Sequence, residues 1–380
     1  MNCKFNKECG GCNYLELPYK EELKLKKDYV VKLLKKINYT KDIEIIGNDN
    51  EYNYRNKAQM AFKLSQTRNL VSGIYQEKTK SIITVEDCAI HADAINIVLK
   101  NVNQALNKCK IEPVGKSKKG LVKFVLVRYG FTSKQVMVVL VTNSDMFPGR
   151  SNFVKELLKL SPNITTIVQN VNPRDTTIVL GDKERVLYGS GYIVDKLCGL
   201  TFKISPKSFY QINPPQTEKL YNTAISMANI KPTQYVVDAY SGIGTIGLTA
   251  SKFAKRVLCV ENNRDAVADA KVNAKMNKIT NVDFVAEDST KFINKLAETK
   301  NKVDVLFMDP PRSGSTYHFI KAVAELKIPN VVYVSCDAET LVRDLEHFIK
   351  FNYEIKEIKL VDMFSKTKHI ECCVKLSFKK

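Results

Sequence analysis

The second half of the chain sets the strongest limit on its fold. Five short β-branched or apolar runs, at residues 235–238, 257–260, 282–285, 303–307 and 331–334, follow one another with room for a helix or loop after each. Runs of this kind lack polar alternation, so they suit strands covered on both faces, and their rhythm predicts a doubly wound parallel sheet. The stretch from about 43 to 204 reads differently. Alternating or β-branched runs at 124–128, 136–141, 165–169 and 176–180 are separated by turn residues, with one helical interruption at 151–160. The expected architecture is α/β, with a Rossmann-like sheet over 205–380 behind a β-rich central domain over 43–204. Residues 1–14 form a Cys-rich lead. Residues 15–42 hold an amphipathic helix, from 18 to about 37, expected to pack on the C-terminal domain. Leu23, Leu25, Val30, Leu33, Leu34 and Ile37 supply its apolar side, and Lys20, Lys24, Lys26, Lys27, Lys32, Lys35 and Lys36 read as a solvated face.

Composition narrows the function. A chain of 380 residues that is 44% hydrophobic can bury a large core, so disorder is excluded, and its length suits two or three domains. No apolar run approaches the roughly 20 residues a membrane span needs, and the start is polar, which points to a cytoplasmic protein without a secretory signal. Ten cysteines are too few for a disulfide scaffold of this size and, in a reducing compartment, some should bind metal or do chemistry. Lys and Arg number 59 against 40 Asp and Glu, a net charge of +19. A compositional bias that raised Lys should raise Glu with it, so the excess implies a polyanionic partner, nucleic acid first.

Ligands of an open α/β sheet sit at the carboxyl ends of its strands. The first strand there runs into Asp238-Ala-Tyr-Ser-Gly-Ile-Gly-Thr-Ile-Gly247. Gly242 and Gly244 allow a nucleoside to approach the backbone, and Glu261, at the end of the second strand, is placed to accept ribose hydroxyls. The glycine pattern alone also fits a nicotinamide-dependent oxidoreductase or a turn that binds nothing. Asp238 suits a cationic amino-acid moiety better than a pyrophosphate, and the rigid Asp309-Pro-Pro-Arg312 loop suits the wall of a methyl-transfer pocket. Both favour S-adenosylmethionine.

The fifth strand ends in Ser335-Cys336-Asp337, and a second ionisable cluster, 362–371, ends in Glu371. A buried cysteine is usually inert. Beside a cofactor it becomes a candidate nucleophile. Thiol, carboxylate and methyl donor together address one problem: carbon 5 of uracil is a poor nucleophile until a thiolate adds at carbon 6, and a base must then remove the proton on carbon 5.

Asp-Ala-Tyr-Ser-Gly-x-Gly at 238–244, Asp-Pro-Pro-Arg at 309–312, Ser-Cys-Asp at 335–337, Asp-Met-Phe…Thr-x-His-x-Glu at 362–371 and Ser-Phe-Tyr-Gln-Ile-Asn at 208–213 together resemble the RNA uracil-5-methyltransferases. The resemblance implies a class I methyltransferase domain, with Cys336 as nucleophile, Glu371 as the base, and Gln211, Tyr240, Glu261 and Asp309 as cofactor contacts. Phe209 and Tyr210 fit equally well as core residues.

Cys3, Cys9 and Cys12 are spaced C-x5-C-x2-C with Gly10 and Gly11 between them, and Cys88 is a natural distant fourth. Three-plus-one thiolates suit a [4Fe–4S] cluster, zinc more often takes two C-x2-C pairs, and free thiols are the third possibility. The pattern resembles the ribosomal-RNA branch of the family, which implies a metal site at these four residues and 23S ribosomal RNA as the partner. Only Met1 and Asn2 precede the first of these cysteines, so the small OB-like RNA-binding domain common in that branch is expected to be absent. RNA would then be held by the β-rich domain, the Lys-rich helix and residues 52–57. The expected product is 5-methyluridine, made by a monomer without a protein partner. The rivals are the same chemistry on transfer RNA and a non-enzymatic iron–sulfur RNA-binding factor.

Overall fold

The computed structural model describes residues 3–76, 79, 81–115, 119–299 and 302–379, so Met1 and Asn2 of the expected lead lie outside it. The chain forms two compact units. One comprises Met1–Glu16, Asn50–Lys196 and Lys203–Lys207, and the other Leu17–Asp49, Leu197–Phe202 and Ser208–Lys380.

The first unit is built on a seven-stranded sheet in the order Ile82–Thr84, Leu70–Tyr75, Lys57–Leu64, Val122–Tyr129, Val136–Thr142, Ile164–Val171, Lys183–Tyr188. Every neighbouring pair is antiparallel except Val136–Thr142 with Ile164–Val171, whose parallel pairing is made possible by the crossover helix Arg150–Leu160. Helix Asp93–Lys108 was not anticipated. Its buried Ile95, Val98, Leu99, Val102, Ala105 and Leu106 keep helical spacing, and they fill the core against the sheet. The run 176–180 is not the strand its β-branched residues suggest. Ile178 is exposed, and the Asn172 side chain donates to the carbonyls of Ile178 and Val179, so side-chain bonds replace a ladder there.

The second unit holds an eight-stranded sheet in the order Glu44–Ile46, Tyr353–Val361, Glu371–Phe378, Asn330–Ser335, Val305–Met308, Tyr235–Ala239, Arg256–Glu261, Val282–Ala286. The five strands expected from the sequence are all present and mutually parallel. Their order reverses between Tyr235–Ala239 and Val305–Met308, the switch point at which such sheets bind ligands. Glu371–Phe378 runs antiparallel to both of its neighbours, so the sheet is mixed. Glu44–Ile46 pairs in parallel with Tyr353–Val361 and does not join the β-rich sheet, a correction to the boundary at 43. A three-residue strand carries too little periodicity to reveal its distant partner.

Helix Tyr19–Leu34 buries Val30, Leu33 and Leu34 in the core of this unit. Two of its residues contradict the expected faces. Leu25 is 46% exposed, whereas Lys26 is 1% exposed and ion-paired. No helix among the described residues is long and apolar enough to cross a membrane.

Candidate active site

At the switch point the chain leaves strand Tyr235–Ala239 through Tyr240, Gly242 and Gly244, with φ of 67°, 56° and 84°. A left-handed tyrosine is strained, and two glycines make the rest of the turn affordable. Nothing lies within 4 Å of where a Cβ on Gly242 would stand, so a ligand can reach the backbone there. Gly247 lets helix Thr245–Ala250 lie against the sheet, because a Cβ would collide with Cys259 Sγ. Glu261 accepts from Gly242 N–H at 2.9 Å and Asn263 N–H at 2.7 Å, and each carboxylate oxygen retains a lone pair for a ribose hydroxyl. Asp238 Oδ2 accepts from Gly247 N–H at 2.7 Å, while its Oδ1 is buried without a hydrogen-bond partner. Burial lifts this carboxyl to about 8. An orphaned buried carboxylate oxygen on the strand that leads into this open turn fits a cationic ligand, as S-adenosylmethionine is.

Sheet register brings the two reactive candidates together. Strands Asn330–Ser335 and Glu371–Phe378 pair through Ser335 and Cys372, and the next position of that antiparallel register sets Cys336 opposite Glu371. On its other side Glu371 pairs with Val361. Cys336 occupies the turn into helix Ala338–Lys350. Ser335 Oγ accepts from Asp337 N–H at 3.3 Å, and Asp337 caps the helix by accepting from Thr340 N–H at 2.9 Å.

Electrostatics tie this pair to the Asp309 loop. Burial raises Glu371 to about 8, Asp309 adding to the rise and Arg312 opposing it. Burial raises Cys336 to about 11, with Glu371 and Asp309 adding and Arg312 opposing. Asp309, half-buried, is itself lifted by burial to about 7. Two acids and a thiol thus share one region in which ionisation is disfavoured, with the Arg312 guanidinium opposing the rise at Glu371 and Cys336. The loop after Asp309 is held from behind by Asp344, which accepts from Ser315 N–H and Tyr333 O–H, both at 2.7 Å. Asp344 went unnoticed in the sequence because nothing local marks it.

Gln211 is buried, and two residues on, Asn213 donates to the Met363 carbonyl at 3.1 Å. Tyr240 shares a 3.1 Å hydrogen bond with Ser315 and packs its ring 5.5 Å from Phe319. Of the two aromatics before Gln211, Tyr210 is buried and Phe209 is 69% exposed, so only one is a core residue.

Cys3, Cys9, Cys12 and Cys88 lie in the first unit. Burial pushes Cys12 up to about 12, and Cys88, Cys9 and Cys3 each add to the rise, so the four thiols lie within one another's field. A cavity of about 400 Å³ is lined by Cys3, Phe5, Asp87 and Cys88 among others. Among the described residues no three His, Cys, Asp or Glu side chains stand where one metal ion would bind them all. Four thiols in one field, two of them lining the cavity, are the donor chemistry that a cysteine-held cluster would use.

A cavity of about 430 Å³ lined by Tyr235, Arg256 and Asp283 opens at the amino ends of the strands, away from the chemistry above.

The sheet order and switch-point turn define a Rossmann-like methyltransferase fold. Residues 18–379 match the tRNA (uracil-5-)-methyltransferase family, and the chain belongs to it, a family of RNA-methylating enzymes. An uncharacterised RNA methyltransferase of Oceanobacillus iheyensis is 39% identical over 376 residues, covering 98% of this chain and 82% of that one. One from Clostridium acetobutylicum is 37% identical over 378 residues, with the same coverage of 98% and 82%. Among solved structures, the Pyrococcus abyssi tRNA (uracil-54, C5)-methyltransferase in complex with S-adenosyl-L-homocysteine superposes with a TM-score of 0.81 at 25% identity, covering 97% of this chain and 86% of that one.

Proposed function

We propose that this protein methylates carbon 5 of a uridine in 23S ribosomal RNA, with S-adenosylmethionine as donor. The observation that carries the chemistry is the register that sets Cys336 opposite Glu371 at the carboxyl edge of the sheet, beside Asp309 and the Gly242 turn. Gln211, Tyr240, Gly242, Gly244, Glu261 and Asp309 would hold the donor, which supplies an electrophilic methyl group and departs as a neutral thioether. The Cys336 thiolate forms a bond to carbon 6, and the displaced electron pair makes carbon 5 nucleophilic. After carbon 5 has gained the methyl group, the Glu371 carboxylate takes its proton. The C–H electron pair becomes the C5–C6 double bond as the C6–S bond breaks and the thiolate returns.

The choice of ribosomal RNA rests on Cys3, Cys9, Cys12 and Cys88 as ligands of a [4Fe–4S] cluster. Transfer RNA is the second reading, favoured by the Pyrococcus abyssi enzyme, whose substrate is tRNA. Mapping 5-methyluridine in both RNAs from cells with and without the gene separates them. The roles of the two residues are tested on a denaturing gel with radiolabelled donor. Cys336→Ala should give neither methylated RNA nor an adduct. Glu371→Gln should accumulate methylated RNA bonded to Cys336, with release slowed about 10²–10⁴-fold. Methylation by Cys336→Ala, or normal turnover by Glu371→Gln, would sink the assignment.

A further inference from the structure

The loop between strands Tyr353–Val361 and Glu371–Phe378 starts at Asp362 and delivers Glu371. Asp362 is fully buried. Its carboxylate accepts from Lys26 Nζ at 2.6 Å, Tyr19 O–H at 2.7 Å and Ser365 O–H at 2.7 Å. Lys26 Nζ also donates to Glu22 Oε1 at 2.7 Å and to the Phe364 carbonyl at 3.3 Å. Glu22 accepts in turn from Lys366 N–H at 2.7 Å, and Lys366 Nζ lies 3.6 Å from its other oxygen. Lys366 holds φ at 68°, a conformation uncommon for a residue with a Cβ, so the loop is strained where Glu22 grips it.

Two carboxylates and two ammonium groups, each at most 2% exposed, are an expensive way to attach one helix. Well-packed apolar residues would hold it as firmly, so stability does not explain the network. A precisely held loop does. From the other side Gln216 donates to the Asp362 carbonyl at 2.9 Å and Asn213 to that of Met363, so the segment carrying Gln211 grips the same residues.

We propose that Lys26, through Asp362 and Glu22, is a positioning residue for Glu371, and that its removal slows elimination from Cys336 more than methyl transfer. This rests on the reading of Cys336 and Glu371 given above. A base displaced by about 1 Å can lose on the order of 10²-fold in rate, whereas the thiol is held by the separate turn at Ser335 and Asp337.

The test is the paired variant Lys26→Met with Glu22→Gln, which removes one charge of each sign, so that Asp362 and Lys366 keep the network's net charge unchanged. In single turnover with radiolabelled donor and RNA, methyl transfer should stay within about threefold of wild type while release of methylated RNA slows about 10–100-fold and the Cys336 adduct accumulates. Normal release, or an equal loss in both steps, overturns the proposal. If the pair does not fold, Tyr19→Phe, which deletes one hydrogen bond to Asp362, decides by the same ratio: slower release supports the proposal and an unchanged ratio refutes it. Cys336→Ala and Glu371→Gln run beside them. A failure of those controls removes the underlying mechanism, whereas their success with a normal Lys26 pair removes only the positioning role.

Discussion

Glu371→Gln should make the ligand-free protein more stable, by an amount that grows with pH. Glu371 is buried at 2% exposure, and burial lifts its carboxyl from an ordinary 4.5 to about 8. Below about pH 4.5 both folded and unfolded chains carry the proton, and the group adds nothing to the pH dependence. Between there and about 8 the unfolded chain releases the proton while the folded one keeps it, so stability falls as pH rises and levels off above the folded value. Each tenfold difference in proton affinity is worth about 1.4 kcal/mol, which caps the loss at about 5 kcal/mol, with about 3 kcal/mol gone by pH 7. Relaxation around the charge and sharing with Asp309 bring the expected gain of Glu371→Gln at pH 8 to about 2–3 kcal/mol, or about 5–10 °C in melting temperature for a unit of this size. The assay is thermal unfolding of both proteins without donor from pH 5 to pH 9. The curves should converge at the acid end and diverge above it. A gap that does not change with pH, or a wild type that is the more stable at pH 8, would refute the burial argument.

Two further outcomes concern the first unit and the RNA. Protein purified without oxygen should be brown with broad visible absorption, and Cys88→Ser should bleach it; a colourless protein with stoichiometric zinc would remove the case for the cluster. With a net charge of +19, affinity for an RNA fragment should fall with salt at a slope near 0.7–0.9 per phosphate contact, and a flat dependence would show that stacking or shape carries recognition.

What the sequence disclosed follows the range of the forces involved. The five parallel strands and the turn at 238–247 were legible because burial and φ > 0 leave local marks, in β-branched runs and in Gly242 and Gly244. Cys336 and Glu371 were found as chemical types in motifs, but only the antiparallel register shows them facing one another. Asp344 and Lys26 were invisible in the sequence as site residues, and Asn213 stood in a motif without its partner, for the opposite reason. Each acts through partners far along the chain, Lys26 on Asp362 and Asn213 on Met363, and nothing near a lysine among lysines says which one is buried.

The ionisation states of the site pose a problem for the proposed mechanism that the donor's charge would resolve. The mechanism needs a Cys336 thiolate and a Glu371 carboxylate, yet in the ligand-free protein burial holds the first at about 11 and the second at about 8, with Asp309 near 7 and Asp238 near 8. Beyond burial, Asp309 raises Glu371, Cys336 and Asp238, and Glu371 raises Cys336, because a second negative charge in a poorly solvated region is disfavoured. On the proposed placement beside Asp238 and Asp309, the donor's ammonium and carboxylate offset one another and its sulfonium would add a net positive charge that favours the anionic forms. Binding of S-adenosylmethionine at pH 7.5 should therefore release protons to solvent, whereas S-adenosylhomocysteine, lacking the sulfonium charge, should release fewer. Titration calorimetry in two buffers of different ionisation enthalpy counts them, and Glu371→Gln should lower the count for the donor. Equal proton release by the two ligands would mean that the sulfonium does not set the charge of this site, and that the thiolate must arise some other way.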